Sequence, residues 1–273
     1  MRGGESYELL DVGDGRRLER FGALVVDRPA PGASGRPSEP GVWSGADLRF
    51  ERDGGWASVA DVAPGAWPID LAGLTLELHA AAGGQVGVFP EQLALLAWLR
   101  DRVSSGATSV LNLFAYTGLA TLTAAEAGAT VAHVDASKPA VAWARRNAEL
   151  SGLADRPIRW LVDDALGFVR REARRGRRYD GVILDPPTYG HAGRATWRFQ
   201  DDLPPLLEAV ESVFEPGGFV LLTSHTPDFW SGALADALED AFGRRRSIES
   251  GELTIEARSG ARLELGAYAR FGH

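Results

Sequence analysis

The stretch "VLNLFAYTG", residues 110–118, decides how this chain folds. Val110–Leu113 is a short apolar run that reads as a strand buried on both faces. The chain then enters a loop that closes on one glycine, Gly118. A helical pattern, "GLATLTAAEAG" (118–128), follows at once, so the segment is a strand-loop-helix turn of an α/β protein. A dinucleotide turn carries G-x-G-x-x-G and a P-loop carries G-x-x-x-x-G-K-[ST]; this turn has neither. The crevice it opens suits a ligand that needs little phosphate cradle.

Outward from this turn the elements alternate. Upstream, "PEQLALLAWLRDRV" (90–103) has apolar residues at helical spacing, with Pro90 at a plausible first position. Downstream, the strands "TVAHVD" (130–135), "PIRWLVD" (157–163), "YDGVILDPP" (179–187) and "GGFVLLTSH" (217–225) are each followed by a helical pattern. The chain ends in "ELTIEARSGARLELGAYARF" (252–271), two strand-like runs joined at Ser259–Gly260. The pattern predicts a Rossmann-like, doubly wound, mostly parallel seven-stranded sheet over residues 85–273, with a C-terminal antiparallel hairpin. Residues 1–84 differ: "YELLDVG", "RLERFGALVVDRP", "DLRFERDGG" and "LTLELHAA" predict a small β-rich N-terminal domain. Within it, the proline-rich 28–41 reads as a mobile loop.

Composition narrows the class. The 273 residues contain no cysteine, which excludes disulfides, thiolate metal sites and a cysteine nucleophile. No metal site is expected. The net charge of −8 argues against a whole-surface nucleic-acid binder. No apolar run is long enough to cross a membrane, and "MRGGESYELLDVGDG" lacks the apolar core of a signal peptide, so a soluble, cytoplasmic protein is expected. A monomer and a homodimer are both compatible with the sequence.

In sheets of this kind ligands sit at the carboxyl ends of the strands. Here those ends read Phe114–Gly118, Asp135, Asp163-Asp164, Asp185-Pro186-Pro187-Thr188-Tyr189 and Thr223-Ser224-His225. An acid at Asp135 can accept from ribose hydroxyls, although a strand-end aspartate can also simply cap a helix. Asp163 or Asp164 can meet an exocyclic amine such as adenine N6, and one of the two can cap the next helix instead. One glycine beside Thr117 leaves room for a nucleoside and not for a pyrophosphate. The ligand read from these ends is an adenosine with a tail that is not phosphate, and S-adenosylmethionine fits. In "DPPTY" the two prolines stiffen the strand exit, Asp185 and the backbone oxygens after it can accept from a planar amine, and Tyr189 can stack on a base.

At these residues the chain resembles a known family. "GVFPEQ" (87–92), "VLNLFAYTG", "VDASKPAVAWARRNAELSGL" (134–153) and "DDALGFVRREARRGRRYDGVILDPPTYG" (163–190) are similar to class I S-adenosylmethionine-dependent methyltransferases of the bacterial large-subunit ribosomal RNA group. The resemblance covers residues 85–225 and implies a cofactor site of Asn112, Phe114, Tyr116, Thr117, Gly118, Asp135, Ser137, Asp163, Asp164 and Asp185. It implies a methyl-acceptor site of Asp185, Pro186, Pro187 and Tyr189, and an RNA substrate, with rRNA first. Some members use a cysteine at the end of the fifth strand to make 5-methylcytosine; here Ser224 and His225 stand there, which turns the expectation to a base nitrogen. His225, next to Asp185 by topology, is a candidate proton acceptor, against a plain packing role. A protein side chain or small molecule as acceptor, or a non-catalytic binding module, are the competing readings. Two arginine groups, Arg170, Arg171, Arg174, Arg175, Arg177, Arg178 and then Arg244–Arg246, precede strands and so fall at the far end of the sheet. His191, Arg194, Trp197 and Arg198, in the loop after "DPPTYG", are better placed to meet substrate.

Overall fold

In the computed structural model, which describes residues 7–58, 65–192, 195–227, 229–244 and 246–272, Val110, Leu111 and Leu113 are fully buried in the middle of a seven-stranded sheet. The chain divides into two compact units, Met1–Glu91 with Thr254–Leu265, and Gln92–Leu253 with Gly266–His273.

In the first unit, β1 (Tyr7–Gly13), β2 (Arg16–Phe21), β3 (Leu24–Pro29), β4 (Leu48–Glu51) and β5 (Gly55–Ser58) form one sheet in that order, and β6 (Trp67–Leu71) and β7 (Leu74–Leu78) form a separate hairpin. Buried Glu19 on β2 is bonded by Arg28 at 2.5 Å and by the Tyr7 hydroxyl at 3.0 Å. Burial disfavours its charge, but Arg17 and Arg28 outweigh that and hold the carboxyl below its usual range. The proline-rich 28–41 loop, expected to be mobile, is anchored instead. The Asp11 carboxylate accepts from Glu39 N and Trp43 Nε1, both at 2.9 Å, and from Ser38 N at 3.2 Å.

The second unit carries the α/β pattern. Its elements are α1 (Leu93–Ser104), β8 (Ser109–Leu113), α2 (Leu119–Glu126), β9 (Thr130–Asp135), α3 (Lys138–Leu150), β10 (Ile158–Val162), α4 (Ala165–Arg174) and β11 (Tyr179–Leu184). There follow β12 (Tyr189–Ala192), β13 (Ala195–Arg198), α5 (Phe199–Glu211), β14 (Phe214–Ser224) and α6 (Ser231–Phe242), then β15 (Glu249–Glu256) and β16 (Arg262–Phe271), whose far ends count with the first unit. The sheet order is β10-β9-β8-β11-β14-β16-β15. The first five strands run parallel, and β16 is antiparallel to β14, as the closing hairpin predicts. The loop expected after "DPPTYG" contains a two-stranded ribbon, β12–β13, in register Tyr189↔Arg198 and Gly190↔Trp197.

Alternation along the strands builds a core on each face of the sheet. Leu111, Leu113, Val182, Leu184, Val220 and Leu222 meet α4, α5 and α6. Their neighbours Val110, Val131, Ile183 and Leu221 meet α1 and α2. Each such fully buried side chain contributes on the order of 1.5–3 kcal/mol. The chain winds outward from β8 to β10, then returns to lay β11 against the other side of β8. That reversal opens a crevice at the carboxyl ends of β8 and β11.

Candidate active site

The turn after β8 is built on backbone that ordinary residues seldom adopt. Phe114 and Tyr116 have φ of 55° and 48°, and Gly118 has φ of 92°. A Cβ on Gly118 would lie 3.1 Å from Ala144 Cβ on α3, so glycine lets α3 close in against the start of α2. Thr117 is buried, and its carbonyl accepts from Asn147 Nδ2 at 2.9 Å. Asn112 lies below the turn, buried, and donates to Thr121 Oγ1 at 2.8 Å, which in turn meets His133 Nδ1 at 2.9 Å. Its side chain is engaged inside the fold.

Asp135, at the end of β9, holds the turn together. One carboxylate oxygen accepts from Tyr116 N and the other from Ser137 N, both at 2.8 Å. Burial pushes the carboxyl above its usual range, while these two donors pull the other way. Each oxygen keeps a lone pair, which suits a pair of vicinal hydroxyls. Ser137 caps α3, accepting from Ala140 N at 3.3 Å. The two acids after β10 divide their work. Asp164 caps α4 through Gly167 N at 2.7 Å. Asp163 accepts from Asp164 N at 2.9 Å and is ion-paired with Arg171. Arg171 therefore reaches the crevice edge, whereas Arg178 donates to Phe214 O at the far edge, as expected for its group. Arg194 and Arg245 lie outside the described residues.

Asp185, at the end of β11, is gripped from two sides. Gln92, just before α1, donates to Oδ2 at 2.7 Å, and Thr223 on β14 donates to Oδ1 at 2.7 Å. His225 Nε2 stands 3.6 Å from Oδ1. Pro186 is buried, whereas Pro187 is exposed and its carbonyl accepts from Trp197 Nε1 at 2.6 Å. Trp197 also packs its ring 4.9 Å from that of Phe114, so the β12–β13 ribbon is latched onto the turn after β8. Tyr189, 55% exposed, opens the ribbon. Ser224 is fully buried, and its hydroxyl accepts from Thr226 N at 3.0 Å. Gln92 and Thr223 were missed as site residues. Gln92 at least stood inside the quoted "GVFPEQ".

The edge thus presents an acid fit for a ribose diol, an acid at the next strand end, and a clamped carboxylate beside a stiff proline exit. Among the described residues no group of three or more His, Cys, Asp or Glu could hold a metal ion, and no helix is long and apolar enough to cross a membrane.

Comparison with known proteins identifies the family. A family model described as S-adenosylmethionine-dependent methyltransferase matches residues 46–241. The chain belongs to that family. The methyltransferase is 36% identical to the crystal structure of a SAM-dependent methyltransferase from Agrobacterium tumefaciens, with a TM-score of 0.94 over 99% of this chain and 91% of that one. Over 122 residues it is 41% identical to the ribosomal RNA large subunit methyltransferase K/L of Methylococcus capsulatus, which covers 44% of this chain and 16% of that protein. The counterpart from Shewanella loihica is 37% identical over 123 residues, 44% of this chain and 17% of that protein. The methyltransferase therefore spans less than a fifth of the length of these curated relatives. Its cofactor is S-adenosylmethionine, and the donor set along the β8, β9 and β10 ends fits an adenosine.

Proposed function

We propose that this methyltransferase acts in the cytoplasm on an RNA base nitrogen, with large-subunit rRNA as the first candidate, and without a covalent enzyme–base intermediate. The observation that carries the reading is the clamped Asp185 beside buried Pro186 and exposed Tyr189, at the mouth of the crevice. The likeness to rRNA large subunit methyltransferases supports the substrate class.

S-adenosylmethionine, when bound, supplies a methyl group on a positively charged sulfur. The chain's own residues do the rest. Asp135 takes the ribose hydroxyls, Asp163 the adenine amine, and the turn from Phe114 to Gly118 lies along the methionine part. Asn112 and Ser137 shape that turn from below and beside it, and Asp164 fixes α4. Asp185 and the Pro186 carbonyl accept from the acceptor amine and fix its plane, since the Pro187 carbonyl is already taken by Trp197. Tyr189 stacks on the base. A nitrogen needs alignment and loss of water, not a thiolate, to take a methyl group. Buried Ser224 cannot offer a nucleophile in place of the absent cysteine. His225 receives the proton, through Asp185 or a water.

Transfer of tritiated methyl groups onto fractionated cell extract tests the reading. Label lost to RNase and recovered as an N-methylated nucleoside supports it. Label lost to protease moves the acceptor to a protein side chain, a reading that the net charge of −8 favours.

A further inference from the structure

At the opposite edge of the sheet from the crevice, by the start of β14 and the end of β16, there is a cavity of about 390 Å³ that the transfer reaction does not use. Trp98, Gly217, Arg246, Glu249 and Arg270 are in its wall. Arg270 and Glu249 cancel each other. Arg270 bonds both carboxylate oxygens, at 2.5 and 3.1 Å, and lies 4.8 Å over the Trp98 ring. The Arg270 hydrogen bonds hold the Glu249 carboxyl below its usual range, so the pair stays charged and matched.

Arg246 has no such match. Its guanidinium lies over three rings, Phe271 at 4.6 Å, Phe214 at 5.0 Å and Phe242 at 5.9 Å. Its Nε donates to the Phe242 carbonyl at 3.2 Å. Among the described residues no carboxylate is within ion-pair distance of it. A cation stacked on apolar rings and fixed by one backbone bond has its remaining donors set in a known direction. Its planar fork matches the geometry of a phosphate. Gly217, in the same wall, has φ of 96° and nothing within 4 Å of where a Cβ would stand, which leaves space there. An adjoining cavity of about 270 Å³ holds Arg102, Asp180 and Glu215, a net negative set, which directs an anion to the Arg246 side.

The geometry points to this cavity as a second binding site, for a phosphate group with Arg246 as its principal partner, and its volume suits a mononucleotide. The site is separate from the transfer crevice and independent of the acceptor assigned there.

Titration of the protein with inorganic phosphate, AMP and adenosine, followed by calorimetry and ³¹P NMR, tests it. With the crevice saturated by S-adenosylmethionine, phosphate and AMP should still bind and adenosine should not. AMP tighter than phosphate by tenfold identifies a nucleotide, and equal affinities identify the phosphate group alone. Arg246→Gln should weaken AMP or phosphate at least tenfold while S-adenosylmethionine affinity is unchanged. Should loss of the ring contacts unfold that variant, Ser247→Asp, on the cavity wall but outside the ring cage, should give the same loss. Failure of the wild type to bind either phosphate or AMP up to about 10 mM, or undiminished binding by the folded variants, overturns the assignment.

Discussion

Replacing Gln92 by leucine removes one donor from Asp185 and leaves the local volume nearly unchanged. The bond lost is 2.7 Å long and ends on a carboxylate, a class that contributes about 1.5–3 kcal/mol. The Asp185 side chain is 19% exposed, so water replaces part of the lost bond and lowers the cost to about 1–2 kcal/mol. At about 1.4 kcal/mol per factor of ten, that corresponds to roughly a 5–30-fold loss. The loss should fall on kcat/KM for the acceptor, because Gln92 orients Asp185. Steady-state methyl transfer at saturating S-adenosylmethionine measures it, with the cofactor Kd and melting temperature as controls. Gln92→Glu adds a sharper reading. Two facing carboxylates repel at neutral pH, and the rate relative to wild type at the same pH should partly recover on acidification, when the new acid is protonated and donates. A folded Gln92→Leu enzyme whose kcat/KM stays within twofold of wild type, or whose loss lies in cofactor affinity, would refute the positioning role.

Asp135→Ala should weaken S-adenosylmethionine binding by about 1.5–3 kcal/mol, and an unchanged calorimetric Kd in a folded variant removes Asp135 from the site. Asp185→Ala should leave cofactor affinity nearly intact while transfer falls by roughly a hundredfold; parallel loss of both puts Asp185 on the cofactor side. His225→Gln should cost about a hundredfold in rate and flatten the pH profile, whereas a retained rate and profile make His225 a packing residue. His133, fully buried, is pushed down to about 3 by burial and by Arg145. Its unfolded value is about 6.5, so the unfolded chain binds the extra proton first as pH falls. Stability at this site is therefore whole above pH of about 6.5 and declines by roughly 3–5 kcal/mol as pH drops toward about 3. Urea unfolding across that range should show a steeper slope for wild type than for His133→Leu, and equal slopes would contradict it.

The parts of this molecule that could be read from the sequence are those in which a local pattern and a global constraint coincide. Parallel strands put their carboxyl ends on one edge, so Asp135, Asp163, Asp185 and His225 could be assigned to one edge from their offsets alone. A choice between neighbours was beyond that logic. Asp163 and Asp164 have the same chemistry, and only the helix start, where Asp164 caps and Asp163 meets Arg171, separates them. Arg171 shows the limit of judging a helix by its last turn. It is eight residues beyond Asp163 in sequence, but its long side chain runs back toward the helix start and reaches the crevice edge. The clamp on Asp185 was hidden for a different reason. Gln92 is 93 residues away from it and Thr223 is 38, and each contact depends on how α1 and β14 register against β11. Period and propensity describe one element at a time and contain no such register. The β12–β13 ribbon was hidden because four-residue strands rich in glycine, histidine and arginine have no apolar alternation to detect. Its place is fixed by Trp197, which bonds Pro187 and packs on Phe114 across the switch point. The contacts argued to align a methyl acceptor are thus made between elements that the chain order separates. For that reason the strand-end residues, Asp185 among them, are legible in the sequence, and the contacts that clamp and cover Asp185 become visible only when the sheet is assembled.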